Sequence, residues 1–197
     1  MSPPRFPSGS RRALLALPLL WGSLPAATRA TTRTDVASPP PEVRAELPGA
    51  RLHGSGRLRF FLFHVYDARL WTLPEFDPAT FDQAPLALEL EYGRSLYGHL
   101  IAERSIEEMR RNGDMAPEQA DRWLMAMKQA FPDVNHGDRM TGIQTPGRAT
   151  RFFVNGKISG EIRDAEFTRR FFGIWLSART SEPRLREALL AGVRSGS

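Results

Sequence analysis

Thr150-Arg151-Phe152-Phe153-Val154-Asn155-Gly156-Lys157-Ile158-Ser159-Gly160-Glu161-Ile162 is the stretch on which the fold turns. Asn-Gly populates the positive φ angles that a type I′ turn demands, so the two flanking runs read as antiparallel neighbours. Upstream, Leu86, Leu88, Leu90 and Tyr92 alternate with Ala87, Glu89 and Glu91, the pattern of a strand with one buried and one wet face. Met140 to Gln144 is a weaker strand just before the hairpin. Arg57 to Trp71, rich in aromatic and β-branched residues on both parities, reads as one strand covered on both faces. A hairpin and a strand with one wet face imply an antiparallel sheet with helices packed on one side, an α+β domain.

Four helical patterns supply that second layer. Leu100 to Arg111 carries Ile101, Ser105 and Met109 on one stripe, with Ile106 beside it. Asp114 is a candidate cap for the next helix, with Pro117 in its first turn and Trp123, Leu124, Met127 and Phe131 as its apolar face. Phe167, Phe171, Ile174 and Trp175 follow at helical spacing behind a candidate cap at Asp164. Ser181 and Pro183 open a last short helix through Leu185, Leu189 and Leu190.

The remainder of the 197 residues frames that body. The chain is 41% hydrophobic and 25% charged, with 16 Gly, 16 Pro and no Cys, which excludes a disulfide scaffold, a thiol nucleophile and a Cys-based zinc site. No apolar run approaches the ~20 residues of a membrane span. The formal charge of +5 is concentrated at the front, because residues 1–30 hold Arg5, Arg11, Arg12 and Arg29 and no acid. Taking those four from the 27 Lys and Arg leaves 23 against 22 Asp and Glu, so the body carries no basic excess suited to nucleic acid. Arg11-Arg12, the apolar run Ala13 to Trp21 and the small residues Ser23, Ala26, Ala27 and Ala30 have the three parts of a cleavable signal peptide over 1–30. The arginine pair also resembles a twin-arginine motif. The expectation is a periplasmic or secreted protein with no stable membrane insertion after cleavage. Residues 31–48, with Pro39-Pro40-Pro41, read as a disordered or extended linker, and residues 49–193 as the single domain.

Common catalytic signatures are missing. His53, His64, His99 and His136 are scattered with no second ligand at metal spacing, and there is no G-x-S-x-G elbow, P-loop or G-x-G-x-x-G. No metal and no cofactor is expected. One constellation stands out: Gly54-Ser55-Gly56-Arg57-Leu58-Arg59 runs straight into Phe60-Phe61-Leu62-Phe63. In a continuous strand, period 2 puts Arg57 and Arg59 on the face of Phe61 and Phe63, cations for an anionic head beside rings for an apolar body. The same residues also suit a sheet rim where both arginines pair with surface carboxylates such as Glu89 or Glu91.

The Gly-x-Gly-Arg-Leu-Arg segment followed by Phe63-His64-Val65-Tyr66-Asp67-Ala68-Arg69-Leu70-Trp71 resembles the exported bacterial branch of the chalcone isomerase-like proteins. Ala102 to Ile106, the Phe-Val-Asn-Gly-Lys hairpin with Gly160, and Phe172 to Leu176 with Leu185 to Leu190 agree with it in order and spacing. The resemblance covers about residues 50–192. It implies an open-faced β-sandwich, a large antiparallel sheet with a helical layer and a ligand cleft between them. It also implies an Arg and a Tyr that hold a carboxylate in the fatty-acid-binding relatives and assist an intramolecular addition in the plant enzymes. Arg57 or Arg59 is the candidate for that Arg, and Tyr97, with Tyr92 as the alternative, for the Tyr. Val65 stands where the enzymes place a Thr, and Ser105 is the nearest residue to their active-site Asn. These departures favour a non-catalytic binder of a small amphipathic, fatty-acid-like anion over an intramolecular lyase acting on an enone.

Overall fold

The computed structural model describes residues 37–192; the expected signal peptide lies outside the described residues. Six strands form one antiparallel sheet in sequential order: β1 (Arg51–Phe60), β2 (Phe63–Thr72), β3 (Leu86–Tyr92), β4 (Arg139–Thr145), β5 (Ala149–Val154) and β6 (Lys157–Ile162). Helices α2 (Gly98–Arg110) and α3 (Pro117–Ala130) connect β3 to β4, and α4 (Ala165–Leu176) and α5 (Pro183–Leu190) follow β6. This is the expected α+β architecture, an open-faced β-sandwich.

Alternation along each strand divides the sheet into two faces. Leu70, Leu88, Gly142 and Phe152 are successive cross-strand partners, as are Ala68, Leu90, Met140 and Val154, and both rows face the helices. Phe152, Phe167, Phe171, Phe131 and Trp123 fill the centre of that layer, largely with edge-to-face rings, and the Phe167–Phe171 pair is stacked at 5.5 Å. The anticipated cap is present: Asp164 accepts from the Phe167 N–H at 2.9 Å and from the Trp123 indole at 2.9 Å. Asp114 caps nothing, because α3 begins at Pro117 behind Ala116, and proline at the first helical position needs no amide partner.

Two expectations are corrected. Residues 41–46 are not linker but a short helix, α1 (Pro41–Glu46), laid on the face of the sheet away from the other helices. Val43 and Leu47 bury against Trp71, Ala87, Ile143 and Phe153, while the buried Glu42 carboxylate accepts from Arg139 at 3.0 Å and from the Thr141 hydroxyl at 2.8 Å. The proline run that resembled a linker preorganises the first turn of this helix. The other correction concerns Arg57 to Trp71, which is a hairpin and not one strand. The chain reverses at Phe61 and Leu62, with Phe61 at φ 53°, in the region glycine and asparagine ordinarily occupy. No turn residue marks it, so the composition reads straight through.

Candidate functional site

Strand β1 decides which way its arginines point. Gly54, Gly56 and Leu58 are paired with Leu70, Ala68 and Tyr66 on the helix-facing side. A Cβ at Gly54 would strike the Leu189 carbonyl, and one at Gly56 would meet Leu185 at 2.7 Å, so glycine here lets α5 lie directly on the strand. Arg57 and Arg59 flank Leu58 and therefore share the opposite face. Arg57 grips Asp67 with both prongs, Nε to Oδ1 at 2.6 Å and Nη2 to Oδ2 at 2.9 Å. Through those bonds it holds the Asp67 carboxyl below the usual carboxylate range. Arg69 on β2 takes Glu89 and Glu91, at 3.0 and 2.9 Å, so the two acids considered for the β1 arginines belong to Arg69. Arg57 also lines a shallow depression of about 290 Å³ with Ser55, Asp67 and Arg69. Arg59 is exposed, lies in register with His64 and has no carboxylate partner among the described residues.

The helix-facing side near the same end of the sheet holds a polar group that the sequence reading did not single out. Tyr66 stands opposite Leu58 on β1 and packs edge-to-face with Tyr92, ring centroids 6.1 Å apart. Its hydroxyl accepts from the Trp175 indole N–H of α4 at 2.9 Å, which leaves its own proton free to donate. Burial pushes both phenols above their ordinary range, assisted at Tyr66 by the carboxylates of Glu182 and Glu108. Both are neutral donors, not nucleophiles, at physiological pH.

Helix α2 carries a second line of side chains towards this end. Tyr97, Ile101, Ser105 and Glu108 fall on one stripe at spacings of four, four and three. Exposure climbs along it: Glu108 is clamped by Arg104 at 2.5 Å and Arg111 at 2.9 Å and is nearly sealed, Ser105 is buried, Ile101 is half-buried and Tyr97 is 61% exposed. Leu58, Tyr66 and Ile101 are among the apolar side chains that pack against the core while staying only partly buried, and they mark the seam between α2 and the β1–β2 end. No hydrogen bond or ion pair joins Tyr97 to Arg57 or Arg59 among the described residues. The three candidate residues are thus distributed over two faces of one end of the molecule and do not converge on a single point. The signal for Tyr66 was its place in the Phe63–Trp71 stretch, but only the fold shows that it meets a tryptophan from α4.

Beyond both faces projects the hairpin tip. Phe60, Phe61, Leu62 and Phe63 are 65, 83, 95 and 62% exposed, and the Arg94 guanidinium sits 5.4 Å from the centre of the Phe63 ring. Among the described residues no group of His, Asp and Glu is arranged to hold a metal ion, and no helix is long and apolar enough to cross a membrane.

With this geometry in hand, the chain can be set beside known proteins. A family model described as chalcone isomerase-like matches residues 33–191. An uncharacterized protein of Haemophilus influenzae is 29% identical over 137 residues, which is 68% of this chain and 64% of that protein, so the chain spans less than two thirds of that relative. The crystal structure of an Arabidopsis thaliana fatty-acid binding protein superposes with a TM-score of 0.56 at 12% identity, covering 73% of this chain and 87% of that one. At that identity the likeness is one of fold: a six-stranded antiparallel sheet under a helical layer, reached by a different sequence. The family match runs from before α1 to the last turn of α5, and the chain belongs to the chalcone isomerase-like family.

Proposed function

We propose that this protein is a non-catalytic binder of a small amphipathic anion of the fatty-acid kind. The apolar tail enters the seam between α2 and the β1–β2 end of the sheet, and the head group stays at its mouth. The partial burial of Leu58, Tyr66 and Ile101, which pack against the core without being sealed by it, carries this reading. Arg59, on the outer face of the same end of the sheet, attracts the head group towards the mouth as an unpaired positive charge, in preference to Arg57, whose fork Asp67 already fills. Tyr97, on the outer turn of the α2 stripe, lines the mouth. Family membership supports the binding reading, as does the description of the Arabidopsis neighbour as a fatty-acid binder. Catalysis of the chalcone isomerase type is disfavoured because the helix-facing positions of β1 are Gly54, Gly56 and Leu58. None of them offers a cation to an oxyanion developing in the seam.

Titration with monomeric laurate, followed by tryptophan fluorescence and NMR shifts at Trp175 and Ile101, tests the reading. Saturable binding is expected, weakened about fivefold in Arg59→Ala, the worth of one partly screened charge, and abolished in Leu58→Trp, which fills the seam. No saturable binding below the micellar range, or full affinity in a folded Leu58→Trp protein, would overturn it.

A further inference from the structure

We propose that the β1–β2 hairpin tip is a peripheral docking device that seats the protein on a bilayer surface rich in anionic lipid. Isolated exposed apolar residues are ordinary on protein surfaces, whereas four consecutive ones at a protruding tip are not. Phe60, Phe61, Leu62 and Phe63 are all more than half exposed; the Phe60 and Phe61 rings meet edge-to-face at 4.7 Å, and the Arg94 guanidinium lies over the Phe63 ring. The other tight hairpins of the same sheet turn at Gly147 and at Asn155-Gly156, with residues that suit positive φ. This one instead places a phenylalanine at φ 53°, so the turn sacrifices backbone comfort to display rings.

Charge identifies the occupant. The tip is flanked by residues 56–66 and 93–102, which contain Arg57, Arg59 and Arg94 and no Asp or Glu. Of the acids beside them, Asp67 is paired with Arg57, Asp133 accepts from the Gly98 amide and Asp138 from the Asn135 amide and the Asn155 side chain. Arg57 is neutralised by Asp67, while Arg59 and Arg94 have no carboxylate partner among the described residues. Rings beyond a collar of guanidinium groups match the layering of a bilayer interface, apolar inside and anionic at the surface. The depth also fits, since two residue pairs of an antiparallel ladder extend about 7 Å, within the ~5–10 Å to which interfacial segments are buried. A second copy of this chain is a poorer partner. A two-fold contact through the tip would bring each pair of unpartnered arginines against its own copy. The proposal shares Arg59 with the amphiphile reading but rests on the exposed tip residues 60–63, which that reading does not use.

Co-sedimentation of the protein with vesicles of phosphatidylcholine, with and without phosphatidylglycerol, provides the test. Binding to the anionic vesicles is expected, weakening as salt rises. The doubly substituted Phe61→Ser, Leu62→Ser protein should lose on the order of a hundredfold in vesicle affinity. Arg59→Glu with Arg94→Glu should remove the preference for phosphatidylglycerol. A Leu62→Trp protein should show a blue shift on adding anionic vesicles, a readout in which no apolar tip residue is lost to a polar one. Absence of binding to anionic vesicles, binding indifferent to the tip variants, or a concentration-dependent dimer that those variants dissolve would each overturn the proposal. Laurate titration of the Phe61→Ser, Leu62→Ser protein separates the two readings, because its seam binding should survive when its vesicle binding is lost.

Discussion

The fork between Arg57 and Asp67 shows what one pair of side chains settles. Both prongs are used, so Arg57 is a structural cation of the outer face and Arg59 is the free one. Because the Asp67 carboxyl titrates below the usual range in the folded protein, its contribution to stability is present above the ordinary carboxylate pKa. That contribution is lost as pH falls through the lowered folded value. An NMR titration should therefore find the Asp67 midpoint depressed, and Arg57→Ala should bring it back up. An unmoved midpoint in that variant would mean the guanidinium is not the cause. Nothing local in the sequence assigned Arg57 to this face. Gly54 and Gly56 mark the helix-facing side but contribute no apolar signal, and the direction of β1 depends on α5, about 130 residues downstream. Asp164, by contrast, was legible because a cap acts within its own first turn.

At the scale of elements, Asp164 does two jobs that bind α4 to α3. Its carboxylate caps α4 through the Phe167 amide and receives the indole of Trp123. Replacing it with alanine removes a cap worth about 1 kcal/mol and strands a part-buried donor at a cost of roughly 1–3 kcal/mol. Urea denaturation of Asp164→Ala should show a loss of about 2–4 kcal/mol, with Asp164→Asn retaining most of it. A loss within about 0.5 kcal/mol, the size of an ordinary surface change, would remove both bonds from the account. The helices and the β5–β6 hairpin were readable because their signals are periodic or sit in the turn itself. The β1–β2 turn was not, because Phe61 and Leu62 imitate strand interior. Helix α1 escaped notice for the opposite reason: six residues with three prolines before or in them hide Val43 and Glu42, whose partners lie on strands far along the chain.

For the molecule as a whole, alkaline pH probes the closure of the helical layer. Tyr66 and Tyr92 bind their protons more tightly when folded than when unfolded, because burial penalises the phenolate. The stability this confers is complete below the ordinary tyrosine pKa of about 10 and declines as pH rises above it towards the folded values. Thermal melts should therefore fall steeply above about pH 10, and the doubly substituted Tyr66→Phe, Tyr92→Phe protein should show a flatter decline. Equal slopes for the two proteins would show that some other group controls the alkaline limit.

The strand register carries a consequence for how this sheet meets other chains. The three inner pairings, β2–β3, β3–β4 and β4–β5, run without interruption, whereas the ladders with register shifts are β1–β2 and β5–β6, those of the two outermost strands. Those outermost strands also carry charged side chains, Arg51, Arg57 and Arg59 on β1 and Lys157 and Glu161 on β6. A bulged, charged margin is a poor template for an incoming strand, whether from a neighbouring molecule or from a misfolded copy. The sheet is thus finished at six strands: its irregularities sit where an extra strand would have to begin, and the uninterrupted ladder is kept where none can reach.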